Sequence, residues 1–235
     1  MIKLRSLLAI GLLSALAACS SPNLRAGSGL GFGPILLNTA KGVLSDRRKG
    51  PRQQVVVTPE LLASTKVAAL QVNPEILGGS DFLQRIRTRT DRNAGKVEIW
   101  KSTDNAQVFM REGVVVGSRG VGGDIISSDA AVTVRATRTN TAQRGVRSYT
   151  ISDGDVTSTK MQFQCEVRPL GSETIVVVQR ELSTNRLRET CTGGPGGERV
   201  IQNDYWVQKS NGLIRKSRQW MGPRIGYFEF ILLKN

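Results

Sequence analysis

The chain has 235 residues, with 33 lysines and arginines against 19 aspartates and glutamates, a formal net charge of +14, and no histidine. Without histidine there is no Ser-His-Asp or Cys-His nucleophile arrangement, no histidine metal site and no ordinary near-neutral proton shuttle. Any catalysis would rest on carboxylates, lysine or tyrosine.

Lys3 and Arg5 precede an apolar stretch from Leu7 to Leu16, followed by the small residues Ala17 and Ala18. Residues 1–18 therefore read as a secretory signal peptide. The apolar run is shorter than the roughly 20 residues a membrane-spanning helix needs. Leu16-Ala17-Ala18-Cys19 resembles the bacterial lipobox. That resemblance implies that Cys19 becomes the lipidated first residue, several acyl chains together giving a stable anchor. The alternative is an ordinary signal peptide with an unrelated cysteine. Ser20 follows, not Asp. By resemblance to sorted lipoproteins, this implies the periplasmic face of the outer membrane of a Gram-negative bacterium. Removing the signal leaves a charge of +12. Nucleic acid is not the expected partner of an exported protein. The charge points to lipid headgroups, lipopolysaccharide phosphates or acidic polysaccharides, or is a merely basic soluble surface.

Residues 19–54 read as the lipidated N-terminus and a flexible tether, with five glycines or prolines between Ser20 and Gly33. A helix is expected over Ile35–Leu44, where Leu36, Ala40, Val43 and Leu44 share a face. Thr58-Pro59-Glu60 predicts an N-cap and a short helix to Thr65. Strands follow. They are expected at Val67–Val72, Phe82–Thr90, Val97–Lys101, a hairpin turning at Glu112-Gly113, Val132–Arg138, Gly145–Ile151, Thr159–Val167, Thr174–Leu182, Arg186–Cys191, Arg199–Val207, Leu213–Met221 and Ile225–Leu233. Residues 55–235 thus read as a single, mainly antiparallel all-β domain, a large curved meander or partly open barrel-like sheet with one or two short N-terminal helices.

Cys165 and Cys191 remain once Cys19 is assigned to lipid. In an oxidising periplasm two thiols usually join. Such a loop would stabilise the fold by about 3 kcal/mol. The alternative is two buried free thiols; the spacing does not suit zinc. With a strand between them, the cysteines of a flat meander would stand about 10 Å apart, beyond the roughly 7 Å a disulfide allows. Either the hairpin near Thr174–Leu182 swings out, or a cysteine lies beyond a strand end.

The blocks "VVVGSRGVGGDI" (114–125), "CTGG" (191–194), "NDYWVQKSNGLIRKSRQWMGP" (203–223) and "GYFEFILL" (226–233) resemble the YjbF/GfcB family of group 4 capsule polysaccharide lipoproteins. The resemblance covers most of the chain from about Val67. It implies an outer-membrane lipoprotein encoded with exopolysaccharide or capsule secretion genes and a mostly antiparallel β fold. It carries no catalytic chemistry and no cofactor.

Four carboxylates in these blocks, Asp124, Glu189, Asp204 and Glu229, are candidates for glycan hydrolysis, which needs two acids about 5–10 Å apart. Asp124 also reads as a turn cap after Gly122-Gly123. Asp153-Gly154-Asp155 reads as a hairpin turn, since the rest of a calcium loop is missing. The glycine-rich "GSRGVGGD" and "TGGPGG" stretches fit no P-loop and read as turns. Arg85, Arg87 and Arg89 alternate along one predicted strand and share a face suited to carboxylates or phosphates, or to a solvated edge. Tyr205, Trp206, Arg218 and Trp220 form a candidate sugar-stacking surface, with Arg218 and Trp220 on one face. A core tryptophan under a covering arginine is the competing account.

The leading expectation is a non-enzymatic lipoprotein of polysaccharide export, contacting acidic polymer or other secretion proteins. A periplasmic glycan-modifying enzyme with paired carboxylates, and a structural interaction protein with an incidental basic surface, are the alternatives.

Overall fold

A computed structural model describes residues 56–154 and 156–235. The signal peptide, Cys19, the tether, the expected helix over Ile35–Leu44 and Asp155 lie outside the described residues. Helix α1 (Pro59–Ser64) begins where its N-cap predicts: Thr58 Oγ1 accepts a hydrogen bond from Leu61 N at 3.3 Å.

Among the described residues the chain then forms β1 (Ala69–Pro74), β2 (Asp81–Arg89), β3 (Val97–Lys101), β4 (Gln107–Arg111), β5 (Val114–Arg119), β6 (Ile125–Ser128), α2 (Ala131–Thr139), β7 (Gln143–Ser152), β8 (Ser158–Val177), β9 (Arg180–Gly193), β10 (Arg199–Gln208), β11 (Ile214–Trp220) and β12 (Tyr227–Lys234). All pairings are antiparallel, in the order β5-β4-β3-β2-β1-β12-β11-β10-β9-β8-β7-β6. The first strand closes onto the last, and the sheet is a nearly complete barrel. Its free edges, β5 and β6, are consecutive in the chain and meet at a seam.

The interior is filled by alternate residues such as Leu83, Trp100, Met110, Tyr149, Phe163, Phe228 and Phe230. In β12 the residues alternate, with Phe228, Phe230 and Leu232 facing this core. A second cluster lies on the outside, where Leu61 and Leu62 of α1 cover Ala69, Phe82 and Leu233 together with Ile175, Val177 and Leu182 from the tip of the β8–β9 hairpin.

Three expectations are corrected. Val132–Arg138 belongs to helix α2, not to a strand. Its β-branched residues favour extended chain in isolation, but Thr133, Val134, Ala136 and Thr137 bury a helical stripe. The Thr137 and Thr139 hydroxyls bond back to the carbonyls of Thr133 and Arg135, and Asn140 ends the helix in the left-handed region. Gly145 lets α2 lie against β7, since a Cβ there would come within 2.6 Å of Val132 Cγ2. Second, Thr174–Leu182 and Arg186–Cys191 are not separate strands. They belong to one long hairpin that reverses at Val178-Gln179, both at positive φ. Gly171 marks a bulge inside β8, and Thr184 sits within β9, donating to the Glu173 carbonyl. Cys165 therefore faces Cys191 directly across β8–β9, joined by a disulfide with Cα atoms 4.0 Å apart. No strand intervenes and no detour is needed. Third, the short edge strand β6 went unseen in the sequence.

Asp81 opens β2 fully buried, with Oδ1 accepting from Phe82 N at 2.7 Å and Oδ2 unpaired among the described residues. Burial pushes its carboxyl up to about 7, with Asp104 adding to the rise. Between about pH 4 and 7 the folded chain holds a proton that the unfolded chain has lost, so stability falls as pH rises through this window. The loss reaches about 4 kcal/mol at most. Urea unfolding from pH 5 to 8 should show this decline in the native protein and not in Asp81→Asn. Parallel curves for the two would contradict it.

Candidate functional site

The predicted arginine stripe does not share one face. A bulge in β2 places Arg85 opposite Trp100 and Arg87 opposite Ile99, which are successive residues of β3 and point to opposite sides. Arg85 turns toward the barrel end, where its guanidinium bonds Glu98 and the Asn235 side chain and stands 5.7 Å from the Trp100 ring. Arg87 and Arg89 remain outside and exposed.

The predicted aromatic surface is mostly core. Tyr205 is completely buried, and Trp220, at the end of β11, packs edge-on against Tyr149 and Phe163. Trp206 lies on the outer side but is 8% exposed, with Arg186 and Lys216 at 4.9 and 5.3 Å from its ring. Arg218 shares a ladder row with Glu229, and Trp220, two residues on in β11, pairs with Tyr227. Arg218 grips Glu75 with two bonds of 2.6 and 2.8 Å and stacks 3.7 Å from the Tyr227 ring centre. The hydrogen bonds from Glu75 hold its guanidinium above its ordinary pKa.

Tyr205 belongs to a polar network inside the barrel. Its centre is an ion pair between Arg147 of β7 and Glu189 of β9, both buried. Glu189 also accepts from Asn203 Nδ2 at 2.6 Å, from Tyr205 Oη at 3.3 Å and from the Thr133 hydroxyl of α2. Arg147 Nη2 donates to the Val115 carbonyl at 3.0 Å. Gln219 takes Val115 N and gives to the Gly113 carbonyl, each at 2.8 Å. Buried side chains thus satisfy backbone groups of edge strand β5 that no neighbouring strand reaches. Burial works against the Arg147 charge, but Glu189 together with Tyr149 and Tyr205 outweighs it and raises its pKa. Burial, reinforced by Glu189, raises that of Tyr205.

The other candidate carboxylates are also engaged. Asp124 caps the β5–β6 loop, accepting from Gly120 N at 2.7 Å and Val121 N at 3.0 Å. Asp204 holds Arg188 at 2.9 Å and Arg186 at 3.5 Å. Its bond raises the Arg188 pKa. Glu229 binds Lys216 at 2.6 Å and Asn73 at 3.0 Å. None of the four is a free acid beside another.

The outer side carries both paired and unpaired cations. In β8–β12 one run of ladder rows is matched: Arg168, Arg188 and Arg218 share it with Asp204 and Glu229, and each is ion-paired, while Lys160, Arg180, Arg199 and Arg215 of the same strands make no ion pair among the described residues. The outer rows of β2–β5 hold no such matched run. One row runs Arg87, Ile99, Phe109, Gly117, and the next Gln84, Lys101, Gln107, Arg119. Arg89 follows Arg87 on the same side. No Asp or Glu occupies an outward position of these rows. Arg87, Arg89, Lys101 and Arg119 make no ion pair among the described residues. Nearby Asp91 is bound by Arg111 at 2.6 Å, which holds its carboxyl below the usual range. Phe109 lies over Gly117, where a Cβ would meet its ring at 2.9 Å. One strand, β4, separates Lys101 from Arg119, two ladder spacings or about 10 Å. Sequence reasoning missed Lys101, Phe109 and Arg119. Each alternates within a predicted strand, but only the register shows that they stand together.

Removing one member of the interior ion pair strands the other charge. Arg147→Met or Glu189→Leu alone should cost about 3–5 kcal/mol in urea unfolding. The double variant should lose clearly less than the sum of the two. Additive losses would contradict a coupled pair.

The comparisons with known proteins agree with this architecture. No curated protein matches the chain. The fold is similar to that of the hypothetical lipoprotein YmcC from Escherichia coli (K12), with a TM-score of 0.64 and 19% identity over 76% of this chain and 89% of that one. Residues 37–233 match the family model described as group 4 capsule polysaccharide lipoprotein gfcB, YjbF. With a match over that much of its length, the chain belongs to the YjbF family of group 4 capsule polysaccharide lipoproteins.

Proposed function

We propose that the protein is a non-enzymatic lipoprotein of polysaccharide export, anchored through Cys19 to the periplasmic face of the outer membrane, that holds acidic polymer on the outer face of β2–β5. The observation that carries this reading is the set of unpaired cations Arg87, Arg89, Lys101 and Arg119 around Ile99 and Phe109. Guanidinium groups bind carboxylate and phosphate by paired hydrogen bonds, and an aromatic ring gives a sugar an apolar surface to lie on. A surface meant only for solubility gains nothing from grouping cations around Ile99 and Phe109 in ladder rows that hold no carboxylate. The lipobox and the family's description as lipoproteins support the anchor. The engagement of Asp124, Glu189, Asp204 and Glu229 speaks against the glycan-hydrolase reading.

The test is polymer in cell-bound and medium fractions from a strain carrying Arg87→Glu/Arg119→Glu at normal protein level. Loss or redistribution of polymer, matching that of a strain lacking the gene, is expected. Unchanged fractions in the variant, where the gene deletion alters them, would sink the polymer-binding reading and favour a purely structural role.

A further inference from the structure

One end of the barrel is hollow. A cavity of about 390 Å³ opens between the β4–β5 turn at Glu112-Gly113, the β10–β11 turn at Asn211-Gly212 and the chain end at Asn235. This size lies within the range of small-ligand sites, about 300–1,000 Å³. Its walls are the inward residues of β1, β3, β4 and β12, chiefly Leu70, Trp100, Met110, Phe230 and Leu232.

The polar groups collect at the mouth. Glu98 is bound by Arg85, and Glu112 by Arg138 with two bonds of 2.5 Å. Lys96, exposed on the rim, makes no ion pair among the described residues. Among the described side chains of the rim, Lys96 is thus a cation left outside an ion pair, above a largely apolar floor. A purely apolar occupant would leave that cation unanswered. In the floor a sugar would find the Trp100 Nε1 and the Ser217 hydroxyl, but most of its hydroxyls would face Leu70, Met110 and Leu232, which is costly.

The geometry points to a binding site for an amphiphile, with a linear apolar chain in the barrel end and an anionic head, phosphate or carboxylate, at Lys96. The site goes beyond the polymer reading. It lies inside the barrel, whereas Arg87, Lys101 and Arg119 stand on its outer side.

The experiment titrates the mature protein with dodecyl phosphate below its micelle concentration, by calorimetry and tryptophan fluorescence. Inorganic phosphate and an acidic oligosaccharide without lipid serve as comparison ligands. Saturable binding with one site is expected for dodecyl phosphate and not for the other two. Lys96→Glu should weaken it about tenfold or more, while dodecanol binding stays within about twofold. Leu213→Trp, at the half-buried mouth, and Met110→Trp, in the wall, should each abolish binding of both chains. Whichever of these two keeps the native circular dichroism spectrum decides the point. No saturable binding, equal binding of free phosphate, displacement by the oligosaccharide, or full binding in the folded cavity-filled variant would each overturn the proposal. The Arg87→Glu/Arg119→Glu variant should bind dodecyl phosphate normally. The two readings can therefore fail separately.

Discussion

The buried pair of Arg147 and Glu189 is the constraint around which the barrel is arranged. A twelve-stranded sheet that closes β1 onto β12 still leaves two edges, and an edge strand exposes backbone groups that need partners. Here the partners come from inside. Arg147 reaches Val115 and Gln219 reaches Val115 and Gly113, while Glu189 binds Arg147, Asn203, Tyr205 and Thr133 of the helix that fills the adjoining space. Strands β5, β7, β9, β10 and β11 and helix α2 are tied to one carboxylate and one guanidinium. The nearby Cys165–Cys191 disulfide fixes two of these strands in register.

This interior decides what is left for function. Because Tyr205, Trp220 and Glu189 are inside, the aromatic and acidic residues that suggest sugar chemistry in the sequence serve packing and closure. Chemistry toward partners falls to the outer side and the open barrel end. On the outer side, ladder register decides which rows are matched. Where Arg188 and Arg218 share a row with Asp204 and Glu229, charge is neutralised within the sheet. Where Arg87 and Arg119 share rows with Ile99, Phe109 and glutamines, it is not neutralised within the sheet.

Much of the fold was legible because strand alternation and turn residues are local signals. Thr58 and Pro59 marked α1, Val97–Lys101 was read with its observed bounds, and Glu112-Gly113 marked its hairpin. The failures were cases where tertiary context outweighed local preference. The β-branched run in α2 became helical because Gly145 and the interior cluster accept a helix there. Gly171 and Thr184-Asn185 are residue types common in turns, yet they lie within one long hairpin, which sets Cys165 directly across from Cys191. The site was less legible. A single bulge between Arg85 and Arg87 moved one arginine of the stripe to the other side of the sheet. No spacing rule signals that bulge. Nor can composition tell a paired cation from an unpaired one, since that depends on which strand lies alongside.

The most direct measurement is arginine-selective dicarbonyl labelling of the mature protein, with and without the exported polymer, read residue by residue by mass spectrometry. The account predicts protection of Arg87, Arg89 and Arg119, while Arg144 of β7 and Arg168 of β8, also exposed but ion-paired, keep their reactivity. Protection of Arg144 and Arg168 to the same degree, or no protection anywhere under conditions where polymer binds, would contradict it.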